Sequence, residues 1–327
     1  MSQIAGASGR TPKRSSTLNP SSLRVAQGIA RSVGRFLLSH PFVGSDFLRL
    51  RIGERFIPSA RDPAVVRTVL GCRVEVDPMA DETVELGIYR YGIYEAGTIR
   101  VLRGCLRPED VFVDIGASVG LMSLVASRLV GPRGRVFAFE PQEASFAFLT
   151  RNLVRNGAAN VTPLRLAVGS TKGTLPLYAR PRARGMATMV PGRDDGDPSA
   201  IVEVTAIDDF VREQGIDRCR MLKVDVEGMD LEVLRGAQGL LSRPGAPIIC
   251  IEYSHGHPIA GGVPLDIYQT LTKVNEYRVF RLTRGKDYGS RLLEVLAPEQ
   301  LPTHDNLFCF LPSHLPSVRS SIFARPP

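Results

Sequence analysis

Residues 114–120 read Asp-Ile-Gly-Ala-Ser-Val-Gly, and their types and spacing suit chemistry. Asp114 follows the apolar run Val111-Phe112-Val113, which fits a strand buried on both faces of a parallel sheet. Gly116 and Gly120 allow a turn whose backbone can approach a ligand closely. From Val119 the apolar residues Met122, Leu124, Val125 and Leu129 fall into a helical pattern. Strand, glycine turn and helix form the front half of a nucleotide-binding βαβ unit, whose helix start would offer free N–H groups to an anion. Glu140 stands 26 residues beyond Asp114, at the end of a second buried run, Val136 to Phe139. A carboxylate there is placed to accept hydrogen bonds from two ribose hydroxyls. Its competing reading is an N-terminal acid for the next helix.

Other acids and histidines close later apolar runs. Asp225 and Glu227 follow Met221 to Val224, and Glu252, His255 and His257 follow or end Ile248 to Ile251. Helical patterns lie between the runs, at 95–104, 143–156 (closed by Gly157), 208–214, 229–241 and 264–275. Further strands are expected at 161–168, 174–178, 201–205, 277–282 and 306–310. Repeated βα units predict an α/β fold with a doubly wound, mostly parallel sheet and right-handed crossovers. Ligands of such sheets sit at the carboxyl ends of the strands. All the acids and histidines named above fall at such ends, and this convergence is the main bottom-up argument for a site.

The remaining organisation follows from composition. The chain has 327 residues, 43% hydrophobic and 23% charged, which is ordinary for a globular protein. Residues 1–21 read as a disordered tail. Residues 22–94 read as an extension: a basic amphipathic helix over 22–38, then a β-hairpin region built from short runs such as 72–76 and 83–89. Residues 95–315 form the main domain and 316–327 a C-terminal tail. The helix can dock its apolar face (Val25, Ile29, Val33, Phe36) on the body, lie on a membrane surface, or act as a targeting segment. The 180–200 loop, between two strands, reads as a lid or as a solvated insertion.

The formal net charge is +8, but no acid precedes Asp46. Removing the six basic residues before it from the 41 leaves 35 against 33 acids, so the body is nearly neutral and gives no electrostatic case for nucleic acid. Five scattered cysteines without a Cys-x-x-Cys fit a reducing compartment, and a cytoplasmic location is expected.

The segments Asp114 to Gly120, Phe139-Glu140-Pro141, Leu166 to Gly169, Val204 to Asp209, and Leu222 to Gly228 with Leu231 to Gly236 resemble the FkbM family of S-adenosylmethionine (SAM) methyltransferases, class I and Rossmann-like. The match spans about residues 95–255. The resemblance implies a seven-stranded sheet with an antiparallel last strand. It implies SAM as methyl donor and a hydroxyl acceptor on a small molecule, sugar or other natural product. Gly116, Gly120 and Glu140 match the family's cofactor positions, and Asp114, Ala117, Ser118, Pro141 and Ala167 are expected beside them. Ser118 is a departure, since Asn is usual there. Glu95 either reaches the amino group of the methionine moiety or is a helix N-terminal acid.

A hydroxyl acceptor is a poor nucleophile, so a general base helps methyl transfer. Asp225 is the first candidate, with a pKa expected to be raised beside another carboxylate, and Glu227 is the second. In the competing reading Asp225 contacts only the cofactor and Glu227 caps the next helix. His255 and His257 are an alternative base or, with Glu252, a weak metal pair, and no metal is expected. The alternative function is a non-catalytic methyltransferase-like scaffold docking through residues 22–38. A nucleic-acid methyltransferase is disfavoured, because Asp225-Val-Glu-Gly is neither Asn/Asp-Pro-Pro-aromatic nor Pro-Cys.

Overall fold

The computed structural model describes residues 60, 62–192, 196–256 and 259–325, together with Ser22, Val25, Ile29, Ser32 and Val33. Those five are helical, and Val25 and Ile29 are 61% and 60% exposed rather than covered by the body. The rest of the 22–38 helix, like His257 in the 255–257 pair, lies outside the described residues.

The centre is an eight-stranded sheet. It uses β3 (Val111–Ile115), β4 (Arg135–Phe139), β5 (Val161–Leu164), β9 (Met221–Val224), β10 (Ile248–Ser254), β11 (Arg278–Leu282), β12 (Leu292–Glu294) and β13 (His304–Phe310). Their order is β12-β11-β13-β10-β9-β3-β4-β5. β3 pairs in parallel with both β4 and β9, while β13 runs antiparallel to β10 and β11. The antiparallel last strand is therefore as expected. The count exceeds seven because the short edge strand β12 adds to β11.

Side-chain alternation splits the core into two layers. Phe112, Ala138, Met221 and Phe308 face α2 (Ala96–Cys105), α3 (Leu121–Val130) and α4 (Glu143–Asn156). Val113, Phe139, Leu222 and Ile251 face α5 (Ile207–Glu213), α6 (Asp230–Arg235), α7 (Gln238–Leu241) and α8 (Pro264–Val274). The Phe210 ring of α5 meets Phe137 and Phe139 edge-on at 5.2 and 4.8 Å. Within the expected C-terminal tail, residues 316–325 pack on the body, with Val318, Ile322 and Phe323 buried in the first layer.

Three expectations change. The expected strand at 83–89 is a helix, α1 (Val84–Tyr91). The Asp81 carboxylate accepts the Thr83 and Glu85 N–H groups at its start, and Gly92 (φ 67°) closes its end. Among the described residues, the β1 (Ala64–Arg67) and β2 (Arg73–Val76) hairpin is what remains of that β region. The expected strand 161–168 breaks at Arg165-Leu166. β5 stays at the edge of the main sheet, where Pro163 is tolerated, and β6 (Ala167–Val168) joins β7 (Gly173–Leu177) and β8 (Ala200–Thr205) in a small separate sheet. The expected helix 229–241 divides into α6 and α7 at Gly236, whose missing side chain makes room for Gly169. A Cβ there would lie 2.1 Å from the Gly169 carbonyl oxygen.

Candidate active site

β3 ends in the Asp114 carboxylate, which is fully buried. Its Oδ2 accepts the Ser123 hydroxyl at 2.6 Å, and Lys223 Nζ lies 3.7 Å from Oδ1. The turn that follows is fixed by contact. Gly116 has φ 81°, and a Cβ on it would lie 1.8 Å from the Asp225 carbonyl oxygen, so only glycine fits. The Gly116 and Ala117 N–H groups both donate to the Phe139 carbonyl, at 3.0 and 2.9 Å. The Ser118 N–H donates to Glu140 Oε2 at 2.8 Å, and that of Gly120 to Ala117. These N–H groups are spent inside the protein. The turn is a wall that allows close approach, and the start of α3 at Leu121 follows directly from it.

Glu140 is the second half of that wall. Its Oε1 accepts the Gln142 N–H at 2.9 Å, so both oxygens hold backbone. Burial pushes its carboxyl up to about 7, against the two N–H groups, which favour the charged form. Two carboxylate oxygens have about four lone-pair sites, so acceptor capacity remains for a pair of hydroxyls. Gln142, not Glu140, caps α4, accepting the Ser145 N–H at 2.6 Å. Ser118 sits at φ 50°, and its hydroxyl is buried without a hydrogen-bond partner. Pro141 and Ala167 line the same cavity, of about 500 Å³.

At the other end, Glu95 precedes α2 at φ 49° and makes no side-chain cap bond. Its carboxylate accepts the Asn306 amide at 3.0 Å and lies 3.0 Å from Lys286 Nζ. Glu95 stands at the start of α2 without capping it through its side chain, and it lines the cavity. Lys286 also lies 2.8 Å from Glu252 Oε1. Lys223 plays the same part below, 3.0 Å from Asp225 Oδ2.

Asp225, Glu227 and Glu252 converge, with donor oxygens within 4.8 Å of one another. Their electrostatics reverse one expectation. Burial alone would raise the Asp225 carboxyl, but the Lys223 and Lys286 ammonium groups outweigh it and hold Asp225 below the ordinary carboxylate range. Glu227 is the raised acid. Burial, then the charges of Glu252, Asp225 and Asp230, push it up to about 8. Three oxygen-donor carboxylates could share a hard divalent cation, but two of them already hold an ammonium.

The described part of the 180–200 loop roofs this cavity. Arg184 pairs with buried Glu85 and lies 4.2 Å from the centre of the Phe148 ring. The Gly185 N–H donates to Asp81 Oδ2 at 2.6 Å, and the Thr188 hydroxyl donates to the Glu227 carbonyl at 2.6 Å. The roof is thereby bound to α1 on one side and to the Asp225–Gly228 turn on the other. Met186, Ala187 and Met189 face the cavity. His304 lines it, 3.7 Å from Glu252, whereas His255 turns away to meet the Tyr253 hydroxyl at 3.2 Å. Sequence reasoning missed Lys286 and His304. Lys223 was legible as a lone cation inside an apolar strand, Leu222-Lys223-Val224.

The chain is 36% identical over 159 residues to the methyltransferase sdnD of Sordaria araneosa, covering 39% of this chain and 61% of that one. It is 28% identical over 195 residues to the hexuronic acid methyltransferase AglP of Haloferax volcanii, covering 59% and 75%. The chain thus spans about three-fifths of sdnD and three-quarters of AglP. It is also similar to the crystal structure of methyltransferase FkbM from Methylobacillus flagellatus KT, with a TM-score of 0.43, 20% identity and coverage of 69% and 52%. Residues 114–287, more than half of the chain, match the model described as the methyltransferase FkbM domain, and the chain belongs to that family.

Proposed function

We propose that this protein is a SAM-dependent methyltransferase acting on a hydroxyl of a small polyhydroxylated acceptor, such as a sugar or another natural product. The observation that carries the reading is the placing of Glu140 and the Gly116–Gly120 turn at one end of a single cavity, and of Glu227 with Glu252 at the other. The residues fit the cofactor. Glu140 keeps acceptor capacity for a diol, and Ser118, which lines the cavity, has a buried Oγ with no hydrogen-bond partner within the protein. Glu95 adds a carboxylate at the far end for an ammonium group. When bound, the cofactor supplies an electrophilic methyl on a positively charged sulfonium.

Glu227 is the general base. Of the two candidates it holds the weaker acid, and so the better proton acceptor, while Lys223 keeps Asp225 ionised as a fixed negative charge. A positive charge entering the cavity favours the ionised form of Glu227, which readies it to take the acceptor's proton. Asp225 and Glu252 hold the surrounding field, and the 184–189 roof excludes water. The test is transfer of labelled methyl to a panel of methyl glycosides and simple polyols by wild type and Glu227→Gln. The reading expects product from wild type, a loss of about 100-fold or more in turnover in the variant, and unchanged binding of S-adenosylhomocysteine. Equal turnover by the two proteins removes Glu227 from the role.

A further inference from the structure

A second concave pocket, of about 510 Å³, lies on the outer side of α2. Arg100, Arg103 and Arg319 line it, and its lining contains no acid. Arg291, outside that lining, lies near enough that its charge, like that of Arg103, bears on the Arg100 guanidinium. Burial and those two charges hold Arg100 below its ordinary value. Among the described residues, none of the four arginines forms an ion pair with a carboxylate, although the body of the chain is nearly neutral. Arg100 Nη2 donates to the Ser321 carbonyl at 3.0 Å, while its Nε is buried without a partner. A buried donor left unmade is costly, and so is a crowd of like charges.

We propose that this pocket is a second binding site, for a phosphate-bearing anion held by Arg100, Arg103 and Arg319. Planar guanidinium forks match phosphate oxygens two at a time, and several of them favour a multiply charged group. The cavity is larger than a bare phosphate needs. Val69, Leu70, Ile93, Ile99 and Ile322 give it an apolar side for the organic part of a phosphate ester. The site adjoins the catalytic cavity through shared elements. The loop between β11 and β12 sends Lys286 into one cavity and Gly289 into the other, and the Gly97 N–H of α2 holds that loop through the Lys286 carbonyl at 2.8 Å.

The full chain and Arg103→Gln/Arg319→Gln are titrated with inorganic pyrophosphate in a calorimeter. Both are also floated with phosphatidylcholine vesicles with and without phosphatidic acid. Both substitutions are at exposed positions, so the variant should fold, with S-adenosylhomocysteine affinity as the control. Wild type should bind pyrophosphate roughly tenfold or more tighter than the variant. If the phosphate comes from a lipid headgroup, the same contrast appears on the phosphatidic acid vesicles instead. Binding of neither probe by wild type, or equal binding of both probes by the two proteins, overturns the proposal.

Discussion

Lys286 Nζ lies 2.8 Å from Glu252 Oε1, and this contact joins a surface loop to the carboxyl end of β10 inside the cavity. The same ammonium lies 3.0 Å from Glu95, so one cation compensates two buried carboxylates. Removing one partner of such a cluster leaves uncompensated buried charge, which costs far more than the net value of the pair. Lys286→Met should lower the unfolding free energy by about 3–5 kcal/mol. Lys286→Met/Glu252→Gln should recover part of that loss, because one stranded carboxylate becomes neutral. Urea denaturation of the three proteins measures both effects. An unchanged midpoint in the single variant would contradict the picture of Lys286 as the site's counter-ion.

Glu227 makes stability and catalysis pull in opposite directions. Its folded pKa of about 8 lies above the ordinary 4.5, so the folded state holds the proton more tightly than the unfolded state. Stability from this group is greatest at low pH and falls as pH rises from about 4.5 through about 8. Glu140 and Glu85, both raised to about 7, add to the fall in the same direction. Without cofactor, the melting temperature should therefore drop across this window. Glu227→Gln should flatten the drop and be more stable than wild type at pH 8 while losing turnover. In wild type, the rising limb of kcat should lie below that of kcat/KM, since the bound cofactor's positive charge lowers the pKa of Glu227. Thermal scans and pH–rate profiles read these expectations, and a variant no more stable than wild type at pH 8 would count against a buried, raised Glu227.

The fold was legible where one signal dominates. Gly157 ends α4 as expected, at φ 62°, and the apolar runs at β3, β4, β9 and β10 place the parallel strands. It was illegible where a distant contact decides. Nothing near Gly236 announces that the Gly169 carbonyl will pack against it and divide a helix. The alternation of apolar Val84, Leu86 and Ile88 with Glu85 and Gly87 hid the Asp81 cap and the Gly92 stop that make α1 a helix. In the site, acids at strand ends were visible because topology puts strand ends together. Their protonation was not, because it depends on which carboxylate receives which lysine. Lys223 reaches Asp225 from two residues away, while Lys286 arrives on a loop with no local pattern.

The central claim is that Glu140 and the turn it holds form the cofactor site. Isothermal titration with S-adenosylhomocysteine tests it, with wild type beside Glu140→Ala and both checked for folding by circular dichroism. The account predicts micromolar binding to wild type and a loss of about 100-fold in the variant, which leaves the ribose hydroxyls and the Ser118 N–H without their acceptor. Absence of binding to folded wild type, or equal binding to both proteins, would contradict it.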